Sequence, residues 1–191
     1  MKILPFSENK KLTVINCFGG PGTGKSVCAA DLFSMMKKDG QKVELVHEVA
    51  KDYVWEDWAH IFGEQDYIFG NQHRLIRRLV YHDIDYAIVD SSILLGLFYM
   101  PEWFPKSFEP FVLDMFNTYN NINVMFARNP AIPYQSWGRN ESEQQAIEKD
   151  QQIRTFFNIH NLPYITVTAG EFAPGIIYDH LQKIKNVDSR Y

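Results

Sequence analysis

The chain has 191 residues, 46% of them hydrophobic and 22% charged, with 19 Lys and Arg against 23 Asp and Glu for a formal charge of -4. At this length about 70% of the unfolded surface leaves water on folding, so one ordinary core suffices and stapled mini-protein classes are excluded. The acidic balance disfavours a general nucleic-acid surface, and no apolar run nears the ~18 residues of a membrane span.

Met1–Asn9 lacks the long apolar stretch of a secretory signal. Cys17 and Cys28 form neither a CxxC pair nor a zinc-ligand spacing, and read as buried thiols in a reducing compartment. The expectation is a cytoplasmic protein with a single domain over 1–191, its one unusual figure being 15% aromatic residues.

Leu12–Phe18, rich in β-branched and apolar residues, reads as a first strand that stops at Gly19-Gly20. A helix follows Ser26, because Ala29, Leu32, Phe33 and Met36 recur at helical spacing before Asp39-Gly40. Lys42–Val46 is a short strand, and His47–Gly70 a loop with at least one helix. Leu75, Ile76, Leu79 and Val80 support a helix over 71–81, and Tyr86–Asp90 is a buried strand ending in an acid. Three prolines make 100–110 irregular, after which Phe108, Phe111, Val112, Met115, Phe116 and Tyr119 mark an amphipathic helix. Asn123–Ala127, Ser142–His160, Tyr164–Thr168 and Gly175–Ile184 complete the series as strand, helix, strand and helix. Alternation of this kind implies a parallel sheet covered on both faces, with ligands at the carboxyl ends of its strands.

Gly19-Gly20-Pro21-Gly22-Thr23-Gly24-Lys25-Ser26 fits G-x-x-x-x-G-K-[ST] between a strand and a helix. Glycines there let successive backbone N–H groups curl around phosphate oxygens at a helix amino terminus. The expected nucleotide contacts run from Gly20 through Pro21, Gly22, Thr23, Gly24, Lys25 and Ser26 to Val27, with Lys25 reaching the β- and γ-phosphates of ATP and the Ser26 hydroxyl on Mg²⁺. Asp90 is the candidate second acid on the metal side, or else a cap for the segment after it. Ser91 follows where many ATP-hydrolysing motors carry Glu, which argues against a motor.

With these motifs the chain resembles the small nucleoside and nucleotide kinases of the P-loop superfamily, in particular phage-type P-loop kinases and the ribosylnicotinamide and deoxynucleoside kinases. The resemblance spans Leu12 to about Thr168. It implies a three-layer α/β sandwich, about five parallel strands with helices on both faces, and a kinase-type lid over about 128–142. It also implies an acceptor-side acid shortly after strand two, the place of Glu48, as a base or a hydroxyl contact; an isolated Glu at a helix start is the alternative. Gln72 and Arg74 stand where such kinases contact the acceptor's base or phosphate, although the basic face of that helix equally reads as solvated. Arg128 and Arg139 are the cations of the lid-like segment, placed to stabilise transferred charge and exclude water, with a plain surface loop as the alternative. Asp150 could pair with a lid arginine or sit on the helix surface.

Tyr53, Trp55, Trp58, Phe62, Tyr67 and Phe69 form one aromatic run, and Phe98, Tyr99, Trp103, Phe104 and Phe108 another. In the resembled kinases such intervals wall the acceptor pocket, so Tyr53 is a candidate substrate contact, while most of the others fill core or a homodimer contact. The resulting expectation is ATP- and Mg²⁺-dependent phosphoryl transfer to a small nucleoside-class acceptor. Its alternatives are a kinase acting on a modified base in DNA, which the acidic charge disfavours, and an ATPase or switch working on a protein partner.

Overall fold

In the computed structural model, which describes residues 11–188, five strands form one wholly parallel sheet: β1 (Thr13–Phe18), β2 (Val43–Val46), β3 (Tyr86–Val89), β4 (Asn120–Ala127) and β5 (Ile165–Thr168). Their spatial order is β2-β3-β1-β4-β5. Met1–Asn9 lies outside the described residues. The helices are α1 (Lys25–Lys38), α2 (Val49–Trp55), α3 (Gln65–Arg77), α4 (Phe108–Phe116), α5 (Glu143–Ile159) and α6 (Ala173–Asp188).

Strand residues alternate between two cores, as the pleat requires. Ile15, Cys17, Ile88, Val124 and Phe126 pack under α1 and α6 with Leu32, Met36, Ile177 and Leu181. Val14, Phe18, Val89 and Met125 face the other way, against Ile76 of α3, Phe116 of α4 and Ile153 and Phe157 of α5. Phe18 and Phe157 meet edge to face, 4.6 Å between ring centres. The result is the expected three-layer α/β sandwich.

Several boundaries depart from the sequence reading. α3 starts at Gln65 and its regular part ends at Arg77, because Ile68 and Phe69 extend the buried stripe toward the amino end. β4 begins at Asn120, earlier than expected, since Asn121 and Asn123 enter the sheet by accepting hydrogen bonds from the Asn16 amide at 2.9 and 3.3 Å. α5 begins with a reciprocal capping box: Ser142 accepts from the Gln145 N–H and the Gln145 side chain accepts from the Ser142 N–H. Gly40, at φ +73°, supplies the left-handed residue that closes α1. Among the described residues no helix is long and apolar enough to cross a membrane.

The topology creates a crevice. β1 leads into α1 on one face, whereas the chain leaving β3 places Ile93, Leu94 and Leu95 in the core of the opposite face. Adjacent strands whose continuations diverge in this way leave a ligand site between their carboxyl ends.

Candidate functional site

β1 and β3 pair with Asn16 opposite Val89. One step further the register sets Cys17 beside Asp90, so the phosphate loop and the acid emerge side by side. The loop between them and α1 is tightly built. Gly22 and Gly24 adopt φ +78° and +85°, and a Cβ on Gly22 would come within 2.8 Å of the Tyr134 ring. Thr23, almost wholly buried, donates its hydroxyl to the Gly20 carbonyl at 3.0 Å. Lys25 donates to the Gly19 and Gly20 carbonyls at 2.8 and 3.0 Å, which holds the ammonium across the mouth of the loop.

From this loop a cavity of about 780 Å³ runs between α2, α3, residues 91–99 and the segment 135–141. Glu48, the residue before α2, lies in its wall together with Lys25, Ser26 and Gln72. Burial raises the Glu48 carboxyl above its ordinary value and the nearby Asp90 charge adds to this, while Lys25, Lys51 and a hydrogen bond with the Ser91 side chain oppose it.

Gln72 does something the sequence did not reveal. Its Oε1 accepts from the Val49 N–H at 2.9 Å and its Nε2 donates to the His47 carbonyl at 3.0 Å. The amide thus satisfies the first free N–H of α2 and fastens the backbone on both sides of Glu48. Tyr53 is buried away from the cavity, stacked on Trp58 with ring centres 6.1 Å apart, and Arg74 is on the exposed face of α3. Neither lines the cavity. Of the two aromatic runs, Trp55, Phe62, Phe69, Phe98 and Tyr99 do.

The segment after β4 reaches the phosphate loop and the cavity wall. Tyr134 lies against Gly22 and donates to the Glu141 carbonyl at 2.7 Å, and Gly138 rests on the Trp55 indole. Arg139 lines the cavity, donating to the Gln135 carbonyl and lying 5.4 Å from the Tyr134 ring centre. Arg128 does not line it. Its Nε donates to Asp150 Oδ2 at 2.6 Å and its Nη2 to the Pro21 carbonyl at 2.9 Å, while Asp150 Oδ1 accepts from the Gly20 N–H at 2.5 Å.

Two residues not singled out from sequence belong to the cavity. Lys149 donates to the Phe98 carbonyl and lies 4.6 Å over the Tyr99 ring, and Gln65 is buried in the wall with only its Nε2 bonded, to the Phe62 carbonyl at 2.9 Å. Neither stands in a motif. The only sequence signal was their place on helices flanking the site.

Asp90 is 7% exposed and its Oδ1 has no hydrogen-bond partner. An orphaned buried carboxylate oxygen is costly and asks for a ligand. No group of three or more His, Cys, Asp or Glu that could hold a metal occurs among the described residues. The orphaned Asp90 oxygen and the Ser26 hydroxyl at the start of α1 are hard oxygen donors that fit Mg²⁺, which takes one or two protein oxygens and completes its shell with water and phosphate.

A domain-family comparison agrees with this construction: the model described as an AAA domain matches residues 14–173. The chain belongs to that family. The fold of this AAA-domain chain is similar to that of a NadR protein solved in complex with NAD and AMP-PNP, which superposes with a TM-score of 0.58 at 15% identity. That alignment covers 85% of this chain and 46% of the NadR chain, so the chain spans about half the length of that protein. The deoxyadenosine kinase from M. mycoides with bound dATP gives a TM-score of 0.48 at 16% identity, covering 90% of this chain and 100% of that one. No curated protein matches.

Proposed function

We propose that this chain transfers the γ-phosphoryl group of ATP to a hydroxyl or phosphate of a nucleoside, nucleotide or related small acceptor, with Mg²⁺. The observation that carries the reading is one cavity lined together by the phosphate loop with Lys25, by Glu48, and by the aromatic side chains of Trp55, Phe62, Phe69, Phe98 and Tyr99.

In this reading the backbone N–H groups from Gly22 to Val27 cradle the triphosphate, and Lys25 exchanges its two loop carbonyls for phosphate oxygens. Ser26 and Asp90 would hold Mg²⁺, which when bound supplies neutralisation of the β- and γ-phosphate oxygens. Glu48 orients the acceptor hydroxyl and takes its proton as that oxygen bonds to the γ-phosphorus and the bond to the leaving ADP oxygen breaks. Arg139, carried by the segment that covers the loop, neutralises charge on the transferred group, and the segment keeps water from competing. Trp55, Phe62, Phe69 and Tyr99 offer apolar faces for a flat acceptor group.

The AAA description of the family favours one second reading, an ATPase that works on a protein partner. Ser91 after Asp90, where a motor carries Glu to polarise water, weighs against it. The test is incubation with γ-labelled ATP, Mg²⁺ and separate pools of nucleosides, nucleotides and hydroxymethylated DNA. Label on a small acceptor, lost in Lys25→Ala with the fold intact by circular dichroism, is the expected result. Label appearing only as free phosphate, or transfer undiminished in Lys25→Ala, overturns the proposal.

A further inference from the structure

Arg128 and Asp150 form a carboxylate–guanidinium pair outside the cavity, yet in contact with the phosphate loop at two points. Their side chains are only 22% and 16% exposed, so the pair is largely shielded from salt and water. Asp150 fixes the direction of the Gly20 N–H, and the packing leaves no slack: a Cβ on Gly20 would run into the Ala146 carbonyl one turn earlier on α5. A lone carboxylate in this position would oppose a polyphosphate bound by the same loop. Arg128 cancels that charge, and two of its N–H groups are spent on Asp150 and the Pro21 carbonyl.

We infer that Arg128 and Asp150 are positioning residues for the phosphate loop, Asp150 fixing its backbone and Arg128 neutralising Asp150 so that the loop still attracts a triphosphate. This rests on the reading of the loop as an ATP site. It also assigns the two cations of the covering segment to different work, since Arg139 lines the cavity and Arg128 is held outside it by Asp150 and the Pro21 carbonyl.

The test is Mg-ATP affinity by titration calorimetry, with steady-state transfer kinetics, for wild type, Arg128→Ala, Asp150→Asn and the double variant. Arg128→Ala should weaken ATP binding tenfold or more, as a rise in KM for ATP rather than a fall in kcat. Adding Asp150→Asn to Arg128→Ala should restore affinity to within threefold of wild type, because the stranded charge is gone. Asp150→Asn alone, whose amide oxygen still accepts from Gly20, should bind at least as tightly as wild type. That variant decides the matter if Arg128→Ala fails to fold. Unaltered affinity in Arg128→Ala, a loss that Asp150→Asn does not rescue, or a fivefold loss in Asp150→Asn alone overturns the inference while leaving the ATP site standing. Wild-type protein that binds no Mg-ATP overturns both.

Discussion

Replacing Gln72 by Leu tests how the acceptor-side acid is held. The substitution keeps the volume within α3 but removes both hydrogen bonds to the backbone around Glu48. The Val49 N–H is buried, and losing its partner costs roughly 1–3 kcal/mol; the part-buried His47 carbonyl adds about 0.5–1.5 kcal/mol. The sum is roughly 2–4 kcal/mol. For a chain of this size each 1 kcal/mol lowers Tm by about 2–4 °C, so the melting temperature should fall by roughly 4–16 °C.

The functional signature should be separate from the stability loss. With its flanking backbone released, Glu48 no longer sits at a fixed place in the wall, and kcat should drop by about tenfold or more for every acceptor alike. Melting by circular dichroism and kcat/KM over a panel of acceptors with different head groups measure the two effects. A variant that melts as wild type does but changes its ranking of acceptors would refute this reasoning and make Gln72 a reader of the acceptor's base.

Three further outcomes are expected. Glu48→Gln should reduce transfer by about 10²-fold or more, and the wild-type kcat/KM should rise with pH on a limb above the ordinary carboxylate range near ~4.3. Because burial raises the folded-state value above the unfolded one, the stability from the neutral carboxyl is lost as pH rises through the folded value. Glu48→Gln should therefore be the more stable protein at neutral pH, as chemical denaturation at pH 5 and pH 8 will register. Ser142→Ala, which opens the capping box of α5, should cost about 1 kcal/mol in urea unfolding. Finally, Cys28, its thiol pushed up to about 12 by burial and by Asp31, and Cys17, raised by burial and by Asp90, should both resist a disulfide thiol reagent at pH 8 until the protein is denatured.

The parts of this molecule that could be read from sequence are those whose cause is local. The phosphate loop is one, because conformation, amide donors and lysine all come from adjacent residues. The strand-and-helix alternation is another, since each buried stripe repeats within its own element. β4 resisted because three of its first four residues are asparagine, a poor strand signal, and two of these are tied to the Asn16 amide of the neighbouring strand. Arg128 resisted for the same kind of reason. Its place after β4 was evident, but whether the guanidinium enters the cavity or stays outside it is decided by Asp150 on α5.

Helix phase explains the rest of the acceptor side. α2 buries Val49 and Tyr53, four residues apart, against Ile61 and Ile68. With that pair turned to the small core, Lys51 and Trp55 are carried round to the cavity, although Tyr53 and Trp55 are only two positions apart. A dense aromatic run therefore marked the right region and could not assign its members. The choice among them was made by where Val49 sits, and Val49 is placed by the amide of Gln72, which sets the face of α2 and the position of Glu48 together.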